Sequence, residues 1–286
     1  MLDLAILFAI LSLVFGGLNE VVFKRYSAVE RSRGMMICGI GTVWTALLIV
    51  DVTLRQEAFL FNRETWSFGL VAGISVAAAN IMLLEALRHM EVSLGSTIYR
   101  LNTIAVVILA VVFLGESLSL LKLAGIALGV VAVLLLYRHQ NTSDRHPMLN
   151  TGLVIVIAGA SLRAAYSVVT KAGLSEGANA DALILISSVC WIISGILYAI
   201  MIERRYAITR QKVAYSLLSG VLVYAIVKTL VSALKLGEAS VVVTIANLSF
   251  LVALLVAIVM KMEALSGKKI AAMGFAVSAI ILLTQA

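Results

Sequence analysis

Ten stretches of about twenty mostly apolar residues run almost end to end through this chain of 286 residues. They fall at about 3–23, 33–52, 66–88, 91–113, 119–137, 151–171, 180–202, 214–235, 238–260 and 267–285. The run from Ala239 to Met260 carries no charge at all. Roughly 20 apolar residues are the length a helix needs to cross a bilayer. Lipid cannot hydrogen-bond a bare backbone, so only helices and closed barrels span it. The apolar/polar alternation of a barrel strand is absent. The fold class that follows is an all-α integral membrane protein with ten transmembrane helices. Its connections are short, so neighbouring helices run antiparallel. The opening Met-Leu-Asp-Leu lacks a basic flank, so the first segment is expected to be a retained helix and not a cleaved signal.

Composition excludes other classes. Hydrophobic residues make up 62% and charged residues 13%, whereas a soluble domain carries about 25% charge. A disordered chain would need the reverse balance. Cys38 and Cys190 both lie inside apolar runs, which gives neither a disulfide scaffold nor metal-ligand spacing. No cofactor and no metal are expected. The net charge of +7 sits between the apolar segments, where lipid headgroups and topology explain it better than nucleic acid does.

Shifting the sequence against itself by 147 residues aligns its two halves without gaps. Val21-Val22-Phe23-Lys24 falls on Val168-Val169-Thr170-Lys171, Trp44 on Trp191, and Gly73 on Gly220. Ala86-Leu87-Arg88 falls on Ala233-Leu234-Lys235, and Glu91-Val92-Ser93 on Glu238-Ala239-Ser240. Glu116-Ser117-Leu118 meets Glu263-Ala264-Leu265, and Lys122 meets Lys269. Apolar coincidences carry little weight in so apolar a chain; coincident Trp, Glu and Lys carry more. The expected organisation is a first five-helix repeat over 1–140, a polar linker at 141–147 containing the single Pro, Pro147, and a second repeat over 148–286. Five spans is an odd number, so the second half enters the membrane from the opposite side. Inverted repeats of this kind belong to alternating-access transporters.

The motifs at these positions resemble the drug/metabolite transporter superfamily, specifically its ten-helix EamA-like members, over essentially the whole chain. The fourth segment ends in Phe113-Leu114-Gly115-Glu116, followed by Gly125-Ile126-Ala127-Leu128-Gly129. The second copy is degenerate, with Lys261-Met262-Glu263, Lys268-Lys269 and Gly274. Phe15-Gly16-Gly17-Leu18-Asn19 is similar to the family's pattern in the first helix, and Tyr166 keeps the aromatic of the sixth. The family often has Pro thirteen residues before the signature Glu. Thr103 and Phe250 stand there in this chain, which leaves straight helices open at those points.

An ionisable residue near mid-bilayer costs roughly 2.5–3.5 kcal/mol to insert and normally faces a cavity or the bundle interior. Arg100, Arg163 and Lys228 fall inside segments, with Arg163 nearest the centre. Glu20 and Glu85 lie within about one turn of segment ends. Asn19, Tyr99, Asn102, Tyr166, Tyr224 and Asn247 add uncharged hydrogen-bonding groups, and Arg100 and Asn247 are repeat equivalents. The functional reading is a central site with a cationic bias that binds an anionic or zwitterionic solute through charge-assisted bonds. The competing reading is structural pairing, such as Glu85 with Arg100, or snorkelling. For Glu20 and Glu85 the alternatives are proton coupling and a solvated vestibule carboxylate. Trp44 and Trp191 are repeat mates that could form a stacking surface of the site or pack helices together.

Lys24 and Lys171 close helices, where a cation complements the helix dipole. Glu116 and Glu263 are expected to organise the 4–5 and 9–10 turns. Gly69-x-x-x-Gly73 and Gly125-x-x-x-Gly129 mark close helix contacts, either within the chain or between copies; a monomer and a homodimer are both compatible. Fourteen Lys and Arg lie on the face of the odd-numbered loops and five on the other. Positive-inside logic then puts both termini outside, whereas EamA-like proteins resemble the reverse.

Taken together, the chain reads as a secondary transporter of a small polar metabolite in the bacterial or archaeal cytoplasmic membrane. Its partners are a small-molecule substrate and the lipid bilayer, without nucleic acid. The alternatives are a lipid-headgroup flippase and a membrane-embedded lipid-modifying enzyme. The enzyme lacks a reactive constellation: no His-Glu-x-x-His or Gly-x-Ser-x-Gly occurs, and no aspartate pair faces the bilayer.

Overall fold

A computed structural model describes residues 2–29, 33–86, 89, 92–135, 149–204, 208–260 and 266–285. The described elements are helices, and no strand occurs among them. In chain order they are α1 (Leu2–Val29), α2 (Gly34–Leu54), α3 (Arg63–Ala86), α4 (Val92–Arg100), α5 (Asn102–Leu114), α6 (Leu120–Leu135), α7 (Leu149–Ser175), α8 (Ala180–Tyr198), α9 (Arg210–Leu236), α10 (Ala239–Asn247), α11 (Phe250–Val259) and α12 (Gly267–Thr284). A π-helical turn, Ala199–Glu203, extends α8. Among the described residues nine helical stretches are long and apolar enough to cross a membrane, and α6 is a shorter apolar helix of 16 residues. These match the ten expected spans. The polar linker at 141–147 lies outside the described residues.

Helix ends follow local chemistry. The Asn179 side chain accepts from the N–H of Ala182 at 2.9 Å, and the Thr209 hydroxyl accepts from that of Lys212 at 3.2 Å; both satisfy otherwise orphaned first-turn donors. Glu203 does the same across space, taking the N–H groups of Arg33 at 2.5 Å and Gly34 at 3.1 Å at the start of α2.

The fourth and ninth spans are each broken near the middle. The fourth stops at Arg100 and resumes at Asn102; the ninth stops at Asn247 and resumes at Phe250. No Pro causes either break. Leu101 and Leu248 stand 147 residues apart, so the interruptions fall at repeat-equivalent positions. Straight helices at these points are therefore not what the chain forms.

Helix pairing has the same twofold pattern. α1 packs on α9 and α7 on α3; α2 packs on α9 and α8 on α3; α11 packs on α1 and α5 on α7. Small residues allow the close approaches. Gly69 faces Leu183 and Ile186, and Gly73 faces Ser187 and Cys190, all on α8. Gly125 lies against Leu283 and Ala279 of α12. The glycine face of α6 is thus spent inside the chain, which removes it as a reason to expect a dimer. Ile74, Ile108, Val154, Ile193 and Leu217 stand exposed on the outer faces. Such a surface suits contact with acyl chains and would be an aggregation hazard in water.

Candidate functional site

The three intramembrane cations find three different surroundings. Arg100, at the end of α4, forms an ion pair with Glu20 of α1 and lies over the Phe250 ring, 5.5 Å from its centroid. The second oxygen of Glu20 accepts from the Ser249 hydroxyl at 2.6 Å. One carboxylate therefore touches both helix breaks. Glu85 is not the partner of Arg100; it lies 3.7 Å from the His89 ring.

Lys228 of α9 donates to Asp181 at 2.6 Å and to Asp51 at 2.8 Å. Arg55, just beyond α2, donates to the same two acids at 2.8 and 3.0 Å and also pairs with Glu57. Asp181 foremost, then Asp51, pushes the Arg55 guanidinium pKa up, so it stays charged throughout the accessible pH range. The Tyr224 side chain stands beside Asp51. The chain does therefore bring two aspartates together, but with both neutralised by cations. Asp181 borders an open vestibule of about 510 Å³, lined also by Arg55, Asn62, Lys228, Ser232 and Lys235.

Arg163 differs from both. It sits about 21 Å along α7 by helical rise, near the middle of that 27-residue helix. Its guanidinium lies over the Tyr99 ring, 5.4 Å from the centroid, and within electrostatic reach of buried Tyr166. Among the described residues it forms no ion pair. Val154, Ile157 and Ser161 make the exposed stripe of α7; by helical periodicity Arg163 points the opposite way, with buried Val156 and Ala160. It is only half-buried there.

The uncharged candidates join the two halves. Asn247 donates to Asn102 at 2.5 Å and to Thr103 at 2.8 Å, linking the two breaks directly. The void beside them, bordered by Arg100, Thr103 and Asn247, is about 10 Å³, room for about one water. Asn19 accepts from Ser219 of α9 at 2.6 Å. Trp44 and Trp191 are buried edge to face, 6.0 Å apart, between α2 and α8. The contact packs α2 against α8.

Glu116 has a role that local sequence does not reveal. It does not organise its own turn. Its carboxylate accepts from the N–H groups of Ala239 at 2.6 Å and Ser240 at 3.0 Å, and from the Ser240 hydroxyl at 2.5 Å. An anion here complements the N-terminal dipole of α10. Gly115, at φ 66°, supplies the left-handed turn that ends α5 and aims Glu116. Lys122 pairs with Glu238 nearby, and Lys171 donates to the Leu234 carbonyl at 2.8 Å instead of merely closing its own helix. Glu263, the repeat mate of Glu116, and the Lys24 side chain lie outside the described residues.

Asp51, Asp181 and Arg55 were missed in the sequence. Asp51 and Asp181 fall within the ends of two predicted spans, and a count of helical rise along the second, seventh and eighth spans sets Lys228 about 9 Å deeper than either, so the linear pattern does not pair them.

Residues 3–138 match the model of the EamA-like transporter family. A crystal structure described only as that of a protein shares 15% identity, covers 98% of each chain and superposes with a TM-score of 0.81. At that identity the likeness concerns the fold. No curated protein matches the chain.

Proposed function

We propose that this chain, a member of the EamA-like transporter family, is a secondary transporter of a small anionic or zwitterionic metabolite in a cytoplasmic membrane. The observation that carries the reading is Arg163. Of the three cations inside the spans, Arg100 and Lys228 are already neutralised by carboxylates, whereas Arg163 has none among the described residues. An isolated mid-membrane cation is costly and usually marks a substrate or ion path. The planar guanidinium fits a carboxylate or phosphate bidentately, and the Tyr99 ring holds it in place.

Alternating access between two inverted halves is supported by the paired helix breaks and the mirrored packing of α1, α3, α7 and α9. Broken helices at the repeat interface are where such transporters bind solute. The vestibule supplies a polar entrance on one face. Amino acids and organic or sugar phosphates have the required charge and size.

Thermal-shift measurements on purified protein test the charge assignment. Carboxylates, phosphates or zwitterions are expected to raise Tm in a concentration-dependent way. Stabilisation by organic cations alone would overturn it.

A further inference from the structure

We infer that the seat at Arg163 takes a phosphate monoester: two oxygens lie on the guanidinium fork and the Tyr99 hydroxyl binds the third. This deepens the anionic-solute reading above and rests on it.

Tyr99, in the last turn of α4, is 7% exposed, and its hydroxyl has no hydrogen-bond partner among the described residues. Buried polar groups nearly always have one, so an orphan of this kind needs a reason. Three other buried groups share that state: the indole nitrogens of Trp44 and Trp191 and the amide nitrogen of Asn102. The two indoles pack against each other, and Asn102 is held through its amide oxygen by Asn247. Tyr99 stands instead against Arg163, a cation with no ion pair among the described residues. Arg163 acts electrostatically on the hydroxyl, yet forms no well-aligned hydrogen bond with it.

Packing fixes the ring in this place. A Cβ on Gly159, one turn before Arg163, would lie 3.5 Å from the Tyr99 Cε2 and 3.1 Å from the Met82 Cβ. Gly159 thus lets α3 and α4 close on α7 and holds the ring beside the guanidinium. Tyr166, also buried, lies three residues beyond Arg163 on the same face of α7.

The chemistry of the pair is one-sided. A guanidinium has N–H donors and no acceptor, and a phenol whose oxygen faces a cation has its O–H left to donate. An acceptor-rich group completes such a site. A carboxylate places both of its oxygens on the fork and leaves Tyr99 as it was. A phosphate monoester has a third terminal oxygen for the hydroxyl. A free monoester and a lipid with a monoester headgroup present the same chemistry.

Concentration-dependent thermal shifts of the purified full-length protein supply the test, with methyl phosphate, methyl sulfate and acetate as probes. Methyl sulfate and acetate each carry one negative charge at pH 7.5, so comparing them separates the third oxygen from charge. Tyr99→Phe keeps the ring and should weaken methyl phosphate and methyl sulfate about tenfold, the scale of one charge-assisted bond, with acetate unchanged. Its Tm without ligand should match or exceed the parent's, because only an unsatisfied buried group is removed. An equal loss for acetate, no loss at all, or a lower Tm would overturn the proposal; the last would show that the hydroxyl is spent inside the fold. Nanodiscs of phosphatidylcholine, with and without phosphatidic acid, separate the two sources. A soluble monoester is indicated where methyl phosphate raises Tm in phosphatidylcholine alone. A lipid headgroup is indicated where only phosphatidic acid does so and Tyr99→Phe loses the effect. Both outcomes support the monoester seat. Failure of the broader reading looks different: organic cations alone would then stabilise the parent. If Arg163→Gln weakens acetate while Tyr99→Phe changes nothing, the anionic seat stands and the monoester assignment falls.

Discussion

Gly17→Val is expected to yield little or no folded protein, the largest stability effect of any single substitution considered for this chain. A Cβ on Gly17 would lie 2.4 Å from the Ser249 carbonyl oxygen, 2.6 Å from the Val252 Cβ and 2.8 Å from the Ala253 nitrogen. Two of these are backbone atoms of the ninth span, beside its break, and cannot rotate away. Overpacking a core typically costs about 1–3 kcal/mol, and a clash with backbone belongs at or beyond the upper end. Gly16→Ala is the internal control, because its Cβ meets only the Ser249 side chain, at 3.1 Å. Size-exclusion profiles after detergent extraction should show an aggregated or missing Gly17→Val and a nearly normal Gly16→Ala. A monodisperse Gly17→Val with the parental Tm would contradict the α1–α11 packing described.

Lys228→Met should be the most damaging change among the charged residues. It leaves Asp51 and Asp181 sharing Arg55 alone. Removing one member of a buried ionic group costs about 3–5 kcal/mol, whereas exposed pairs are worth about 0–1. Asp181 is 11% exposed and Lys228 27%, so a loss of about 2–3 kcal/mol is expected. Asp181→Asn in the same chain should recover most of it, because the uncompensated charge is then gone. Thermal unfolding of the parent, the single variant and the double variant measures this. Additive losses in place of recovery would show that the four charges do not act as one unit.

The fold was largely readable because lipid imposes one strong rule: an apolar run long enough to span must be a helix. Ten runs and an offset that aligns Trp44 with Trp191 and Glu116 with Glu263 already imply the spans and their pairing. The breaks were not readable. They arise without Pro, where Asn247 bonds to Asn102 and Thr103 across the interface of the fourth and ninth spans, and such contacts exist only once distant spans meet.

The site was readable in residue type but not in partnership. Arg100, Arg163 and Lys228 stand out in the sequence as cations in apolar runs, yet a linear pattern does not say which of them will meet a carboxylate. Glu20 lies 80 positions from Arg100, and Asp51 lies 177 from Lys228. Three cations that suggested a positively biased centre become two neutralised pairings and one guanidinium that has no ion pair among the described residues and lies over the Tyr99 ring. Glu116 was misjudged for the same reason: its partners are on α10, more than 120 residues away.

Affinity of the Arg163→Gln protein for the anion or zwitterion that most stabilises the parent bears most directly on transport through a central anion seat. Gln keeps hydrogen-bonding capacity while removing the charge and the bidentate fork, so binding should fall at least about tenfold with Tm in the absence of ligand nearly unchanged. Undiminished binding by a folded Arg163→Gln would contradict a solute seat at Arg163.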